Sequence, residues 1–182
     1  MCEREEIYSE EGYINPDKDA HTALTDDYAP YSTNFLAFLN GRPIGTIRIT
    51  RDSKLNFPTE NMYNIDKIKD RDSVVELGRL VIDKRYRQGT VKNRIVMFGL
   101  SYLVYRYSRK HGIKHWLLSA PEKLVRSFEQ FGATFEHIHE GEPMPKNLEA
   151  RSFVSRYFER YRLCPYLIDI STIPRGKIFI KK

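Results

Sequence analysis

Cysteine is scarce in this chain, with only Cys2 and Cys164, at opposite ends and without metal-type spacing. Two such residues supply neither a disulfide framework nor a zinc site, and reduced cytosolic thiols are the expected state. No apolar run approaches the roughly 20 residues that a bilayer-crossing helix needs. The N-terminus, Met1-Cys-Glu-Arg-Glu-Glu6, is acidic and lacks an apolar stretch, so no secretory signal is expected. No repeat, low-complexity tract or Gly/Ser linker divides the chain. Residues 1–182 are therefore expected to form one domain, a normal size for a single core.

What is present is a core-forming composition with an uneven charge. Hydrophobic residues make up 41%, and 12 Tyr and 10 Phe supply large flat packing surfaces. The net charge is +6, yet residues 1–27 carry nine acids against Arg4 and Lys18. Residues 84–94 hold Lys84, Arg85, Arg87, Lys92 and Arg94 with no acid, and the tail from Arg175 is also basic. A run of this kind is either a solvated face or a surface that steers an acidic protein, a phosphate or a nucleic acid.

Residues 34–39 read as a buried strand, and Asn40-Gly41 is a strong hairpin signal. Residues 44–50 return as its partner, with Ile47 and Ile49 on one face and Thr46, Arg48 and Thr50 on the other. Residues 51–73 are polar and read as an irregular excursion with one helical turn. Residues 74–83 form the next strand and 84–90 a tight basic loop. In the helix that follows, Val91, Ile95, Phe98, Tyr102 and Tyr105 fall at spacings of four, three, four and three, predicting one apolar stripe. Gly112 suits its C-terminal cap. A short strand at 116–118 precedes a second helix opened by Pro121, with Leu124, Phe128 and Phe131 as its core stripe and Gly132 at its end. Residues 133–139 are a further strand. A helix over 148–161 and strands over 166–170 and 177–180 complete the reading. The expected class is α/β, a mixed, mostly antiparallel sheet with crossover helices.

The segment Val75-Glu-Leu-Gly-Arg-Leu-Val-Ile-Asp-Lys-Arg-Tyr-Arg-Gln-Gly89 resembles the central strand and pyrophosphate loop of GNAT acyltransferases. Within that fold it is most similar to acyl-homoserine-lactone (autoinducer) synthases and the related long-chain N-acyl amino acid synthases. Gly45-Thr-Ile-Arg48 resembles that branch's Gly-x-x-Arg strand, and Asn56-Phe-Pro-Thr-Glu60 its Phe/Leu-Pro loop. Asp26-Asp-Tyr-Ala-Pro-Tyr-Ser32 resembles its Asp-x-x-Asp-x-x-Ser segment, and Phe128-Glu-Gln-Phe-Gly132 its late helix. The chain also departs from the pattern. Gly78 stands where the branch has Ser in Glu-x-Ser-Arg, Ala29 replaces the second Asp, and the GNAT loop Arg-x-x-Gly-x-Gly/Ala keeps one glycine.

The resemblance implies acyl transfer from a pantetheine thioester to an amine. Glu76, a carboxylate in an apolar strand, is the candidate base, since desolvation raises its pKa; an ion pair with Arg79 or Arg48 is the alternative. Backbone amides of Leu80, Val81 and Ile82 could polarise the thioester carbonyl, as the resemblance implies. Arg48 and Arg79 could hold an amino acid carboxylate through their guanidinium forks, or form an internal cluster with Asp26. Arg87, Gln88, Gly89, Thr90 and Val91 are the candidate phosphate cradle at a helix N-terminus. Lys84, Arg85, Lys92 and Arg94 are candidates for contact with an acidic acyl carrier protein, whose pantetheine carries a single phosphate. No tightly bound cofactor is expected. His137 and His139 could in principle bind a metal, but a surface pair is expected and no metal site is assigned. Trp116 reads as core.

The reading that follows is a cytoplasmic N-acyltransferase moving a long acyl chain from acyl carrier protein, or from coenzyme A, to an amino acid. The alternatives are an acyl-homoserine-lactone synthase using S-adenosylmethionine, an acetyl-CoA-dependent N-acetyltransferase, an inactive scaffold and a basic nucleic-acid-binding module. The branch's autoinducer members carry an early-loop tryptophan, whereas the single tryptophan here is Trp116. No nucleic-acid motif is present.

Overall fold

The computed structural model describes residues 27–87, 91–129, 132–139 and 162–173. Asp26, Gln88, Gly89, Thr90 and Phe131 lie outside them, as do the helix expected over 148–161 and the strand over 177–180.

Strands β1 (Ser32–Leu39) and β2 (Arg42–Arg51) form the expected hairpin. Asn40 and Gly41 both take positive φ, 50° and 75°, which the tight two-residue turn of a twisted hairpin requires. Strand β3 (Val74–Ile82) pairs antiparallel with β2, and its far edge meets β4 (His115–Pro121) in parallel. Strands β6 (Leu163–Asp169) and β5 (Phe135–His137) complete a sheet ordered β1-β2-β3-β4-β6-β5. Among the described residues only the β3–β4 pair is parallel, so the sheet is mixed and mostly antiparallel. The β3–β4 crossover carries α1 (Lys84–Arg87) and the long α2 (Val91–Lys110), and α3 (Glu122–Glu129) follows β4.

Helix α2 lies across β1 and β2, and Gly45 is what lets it come close. A Cβ at Gly45 would stand 3.0 Å from Val96 Cγ1 and 3.2 Å from the Val81 carbonyl oxygen, which cannot move aside. The buried face of α2 consequently runs through Val96, Leu100, Val104 and Ser108. This corrects the predicted stripe in part: Phe98 is buried and Tyr105 packs against the core, as expected, whereas two others are not buried. Ile95 is 64% exposed and Tyr102 41%, because docking over Gly45 turns the helix toward Val96 and Leu100. Ser108 belongs to the buried face because its hydroxyl accepts the Trp116 indole N–H at 2.8 Å.

Other boundaries also shift. The basic segment expected as loop winds into α1 at Lys84–Arg87, because the Asp83 side chain accepts the Arg85 backbone N–H at 2.9 Å. Pro121 ends β4 rather than opening α3, and in α3 Val125 is buried, with Leu124 and Phe128 half-buried. Residues 51–73 contain two 3-10 turns, Pro58–Asn61 and Arg71–Ser73, rather than one.

The two faces of the sheet are covered differently. Beneath α2 an apolar core includes Ile47, Ile49, Val75, Leu100, Val104 and Trp116. On the other face a smaller cluster of Phe57, Met62, Tyr63, Ile65, Val74 and Leu117 packs under the segment that contains the 3-10 turns.

Candidate active site

The parallel β3–β4 pairing covers only Val74–His115, Val75–Trp116 and Glu76–Leu117, after which the strands part. A bulge on the opposite edge of β3 accompanies the separation. Thr46 pairs with Val81 and Arg48 with Gly78, so Arg79 and Leu80 together oppose Ile47. Arg79 takes φ +52°, a left-handed conformation that bends a strand and is costly for a residue with a side chain.

A cavity of about 180 Å³ occupies the widening gap. Its wall runs from Leu77, Gly78, Arg79 and Leu80 on β3 to Leu118 and Ser119 on β4. Phe98 and Tyr105 of α2 and Leu124 and Phe128 of α3 close it. The lining is overwhelmingly apolar, suited to an alkyl chain, with a few polar groups near the strand gap.

Glu76 sits where the gap begins. Its side chain shares a face with Val74 and points under the first 3-10 turn, leaving the residue 7% exposed. Thr59 donates to it twice, from the backbone N–H to Oε2 at 2.9 Å and from the hydroxyl to Oε1 at 2.9 Å. Burial pushes the Glu76 carboxyl up to about 7; the two Thr59 bonds and the Arg48 charge oppose the rise, and Glu60 adds to it. A carboxylate near neutrality can both accept and return a proton at ordinary pH.

The turn that grips Glu76 is itself fastened. Glu60 Oε2 accepts the Phe57 backbone N–H at 2.8 Å, closing the turn. The Arg71 guanidinium reaches Glu60 Oε1 at 3.1 Å and Asp52 Oδ1 at 2.9 Å, and lies over the Phe57 ring at 4.9 Å. Asp52 is held below the usual carboxylate range, chiefly by its Arg71 hydrogen bond. Asn61 donates to the Tyr28 hydroxyl at 2.8 Å, fastening the turn to the segment before β1. Thr59 Oγ1 also lies 2.9 Å from the hydroxyl of Ser119.

The residues singled out by sequence fall into three places. Glu76 and Arg48 are buried together, and Arg79 and Leu80 line the cavity. Val81 and Ile82 pack into the core and do not line it. Trp116 is core, as expected, and also a cavity wall. At the basic segment, Lys84 is exposed, Arg87 closes α1, and Val91, Lys92 and Arg94 lie in the first turn of α2. Arg85 is ion-paired with Asp83, the acid just before the basic run. Arg42, on the hairpin, shares a second cavity with Arg85 and Tyr86 and extends that basic surface. His137 rests against Tyr166, and His139 against Tyr63 and the Asn64 carbonyl. Among the described residues no group of three or more His, Cys, Asp or Glu could hold a metal.

Sequence reasoning quoted Thr59 inside a loop motif without giving it a role, and missed Ser119 altogether. The only local signal was the Thr59 hydroxyl itself, beside Glu60 in the Phe-Pro turn. Nothing local marked Ser119.

The family model for N-acyl amino acid synthase FeeM matches residues 4–150. No curated protein sequence matches the chain. Among solved structures, the acyl-homoserine lactone synthase BjaI, determined with SAM and isopentyl-CoA, superposes with a TM-score of 0.61 at 16% identity, over 96% of this chain and 74% of its own. FeeM, an N-acyl amino acid synthase from uncultured soil microbes, gives 0.58 at 15% identity, over 92% and 81%. A proposed N-acetyltransferase from Lactobacillus plantarum gives 0.52 at 15% identity, over 92% and 86%. The fold is thus GNAT-like, with the splayed parallel pair at its centre.

Proposed function

The chain belongs to the N-acyl amino acid synthase FeeM family and is an N-acyltransferase, and from that premise we propose that it joins a long acyl chain, carried as a thioester on acyl carrier protein, to the amine of an amino acid. The observation that carries this reading is the apolar cavity opening in the β3–β4 gap beside a buried carboxylate poised near neutrality.

The cavity takes the alkyl chain, and burying each methylene contributes about 0.8 kcal/mol toward binding. The thioester carbonyl then rests in the gap against the β3 backbone around Leu80, whose amides are assigned to stabilise the developing oxyanion. Arg79, on the cavity wall, meets the acceptor's carboxylate, with Arg48 behind the sheet balancing Glu76. Glu76 takes the proton that the acceptor's ammonium must lose before its nitrogen attacks. The phosphate of the pantetheine arm is assigned to residues 87–91, at the start of α2, with Gln88, Gly89 and Thr90 as its cradle and Val91 at the helix end. A Cβ at Gly78 would meet nothing within 4 Å, so the serine of the family pattern would find room there.

The carrier protein is favoured over free coenzyme A by charge. Carrier proteins are strongly acidic, and the segment 84–94 carries Lys84, Arg87, Lys92 and Arg94 with no acid, with Arg42 on the hairpin adding a further cation. Among the described residues no helix is long and apolar enough to cross a membrane. A cytoplasmic enzyme meeting a cytoplasmic carrier is the arrangement we infer.

The test is to supply the same acyl chain on both donors with a panel of amino acids and identify products by mass spectrometry. An N-acyl amino acid should form, with the higher kcat/KM on the carrier donor. That preference should fall steeply from low to high salt, because the Debye length shrinks from about 10 Å at 0.1 M to about 3 Å at 1 M. Lys84→Glu with Arg87→Glu should reduce carrier-dependent activity far more than coenzyme A-dependent activity. A coenzyme A preference indifferent to salt and to both substitutions overturns the carrier assignment, and absence of any acylated amino acid overturns the acceptor class.

A further inference from the structure

Glu76 is buried and does not line the cavity, so as a base it cannot touch the substrate directly. A connected pair of hydroxyls bridges the distance. Thr59 Oγ1 lies 2.9 Å from Glu76 Oε1 and 2.9 Å from Ser119 Oγ, and Ser119 lines the cavity on the β4 side of the gap. We propose that Thr59 and Ser119 form a two-hydroxyl relay through which Glu76 takes the acceptor's proton, with Ser119 the group that touches the substrate nitrogen. This inference rests on the acyl-transfer reading with Glu76 as base.

The direction of the hydrogen bonds follows from valence. An ionised carboxylate only accepts, so Thr59 spends its single O–H on Glu76. The remaining bond must then run from the Ser119 O–H to the Thr59 oxygen. This leaves the Ser119 oxygen with a lone pair toward the cavity, the correct polarity for an incoming ammonium. When that ammonium donates, Ser119 passes its proton to Thr59 and Thr59 passes its own to Glu76. One proton leaves nitrogen and one arrives on the carboxylate. No bond to carbon changes in this step, and the freed lone pair then attacks the thioester carbonyl. The reversed chain, donating from protonated Glu76 toward the cavity, returns that proton to the departing thiolate, and the second proton that the nitrogen sheds as the amide forms passes to solvent.

Thr59 is suited to the role because its two contacts are separable. Its backbone N–H holds Glu76 Oε2 whatever its side chain does, so the hydroxyl is free to act as a conduit. The charged and titratable groups facing Glu76 are Arg48 from β2, Glu60 from the same turn and Tyr28 before β1, and the last is raised above the ordinary tyrosine value, chiefly by burial.

The test compares Ser119→Ala and Thr59→Val with Ser119→Thr and Thr59→Ser, which keep the hydroxyls, and with Glu76→Gln. The two hydroxyl deletions should each lower kcat by about 10–100-fold, less than loss of the general base itself, with KM little changed. They should also remove the inflection near pH 7 from the kcat profile, and the double deletion should be no worse than either alone. The hydroxyl-keeping variants should retain both kcat and the inflection. If Glu76→Gln is inactive while Ser119→Ala and Thr59→Val keep the wild-type kcat and profile, the relay is wrong and the base assignment stands. If Glu76→Gln is fully active, base and relay fall together. A Ser119→Ala variant that changes KM alone reduces Ser119 to a cavity wall and also overturns the relay.

Discussion

Val75 and Glu76 are neighbours on β3, both buried, and they face opposite sides of one sheet into opposite chemistries. Val75 is wholly buried in the apolar core under α2, where its neighbours include other aliphatic side chains and Trp116. Glu76 points under the 3-10 turn, where Thr59 bonds it twice and the charges of Arg48 and Glu60 act on it. On the first face every buried methylene adds to stability. On the second, burial costs free energy, because it withdraws water from a charge that two hydrogen bonds only partly replace. The difference separates the face that holds the fold from the face that stores reactivity, and it can be broken by substitution on either side.

The largest expected effect is at Glu76. Glu76→Gln should lower turnover by roughly 10²–10⁴-fold, the range for loss of a general base. It should leave the fold intact, since an amide can accept from the Thr59 N–H and donate to its hydroxyl. Stability should move the other way with pH. The folded carboxyl is raised from 4.5 to about 7, so the native state binds a proton that the unfolded chain has released. The contribution of Glu76 to stability is therefore fullest below about pH 4.5 and declines as pH climbs to about 7, by an amount on the order of 3 kcal/mol. Glu76→Gln should lack this component of the decline and be the more stable protein at pH 8. Urea melts of both proteins at pH 4.5 and 8 decide it; parallel curves would mean that Glu76 is not held near neutrality.

On the apolar face the expected pattern is inverted. Leu100→Ala removes a side chain that is 1% exposed and sits against Gly45. It should cost about 2–5 kcal/mol by denaturant titration. Turnover per folded molecule should be unchanged, because Leu100 does not line the cavity. A selective loss of turnover at full stability would show that the two faces are coupled.

Arg71 gives the smallest effect and the finest discrimination. Its partners are part-exposed, so Arg71→Gln should cost only about 1 kcal/mol of stability. It fastens the turn that presents Thr59, however, and misplacement of that turn should lower kcat about tenfold without changing KM, since small errors in position are expensive in catalysis. Equal, small losses in both measurements would assign Arg71 to stability alone.

Much of this arrangement was legible residue by residue. Alternation at Ile47 and Ile49 against Arg48 and Thr50 marks β2 because successive side chains of a strand must point opposite ways. Asn40-Gly41 marks the turn because both positions need positive φ, which these residues tolerate best. Glu76 stood out as an acid in an apolar strand, and the structure explains its altered proton affinity by the same desolvation. The rotation of α2 was not legible. Its sequence offers two apolar stripes, and the choice of Val96 and Leu100 over Ile95 and Tyr102 is made by the gap above Gly45 on another element.

Local periodicity and turn chemistry act within a few residues, which is why the sequence alone determined the hairpin, the central strand, the long helix and the acid on β3. The tertiary structure alone decided what that acid touches. Thr59 lies 17 positions before Glu76, and Ser119 lies 60 positions beyond Thr59. Only the path of the turn over one face of the sheet, and the parting of β3 from β4, brings the three within hydrogen-bond reach. A hydrogen bond is decided within a few tenths of an ångström, and no pattern in the sequence fixes such a distance between residues so far apart along the chain.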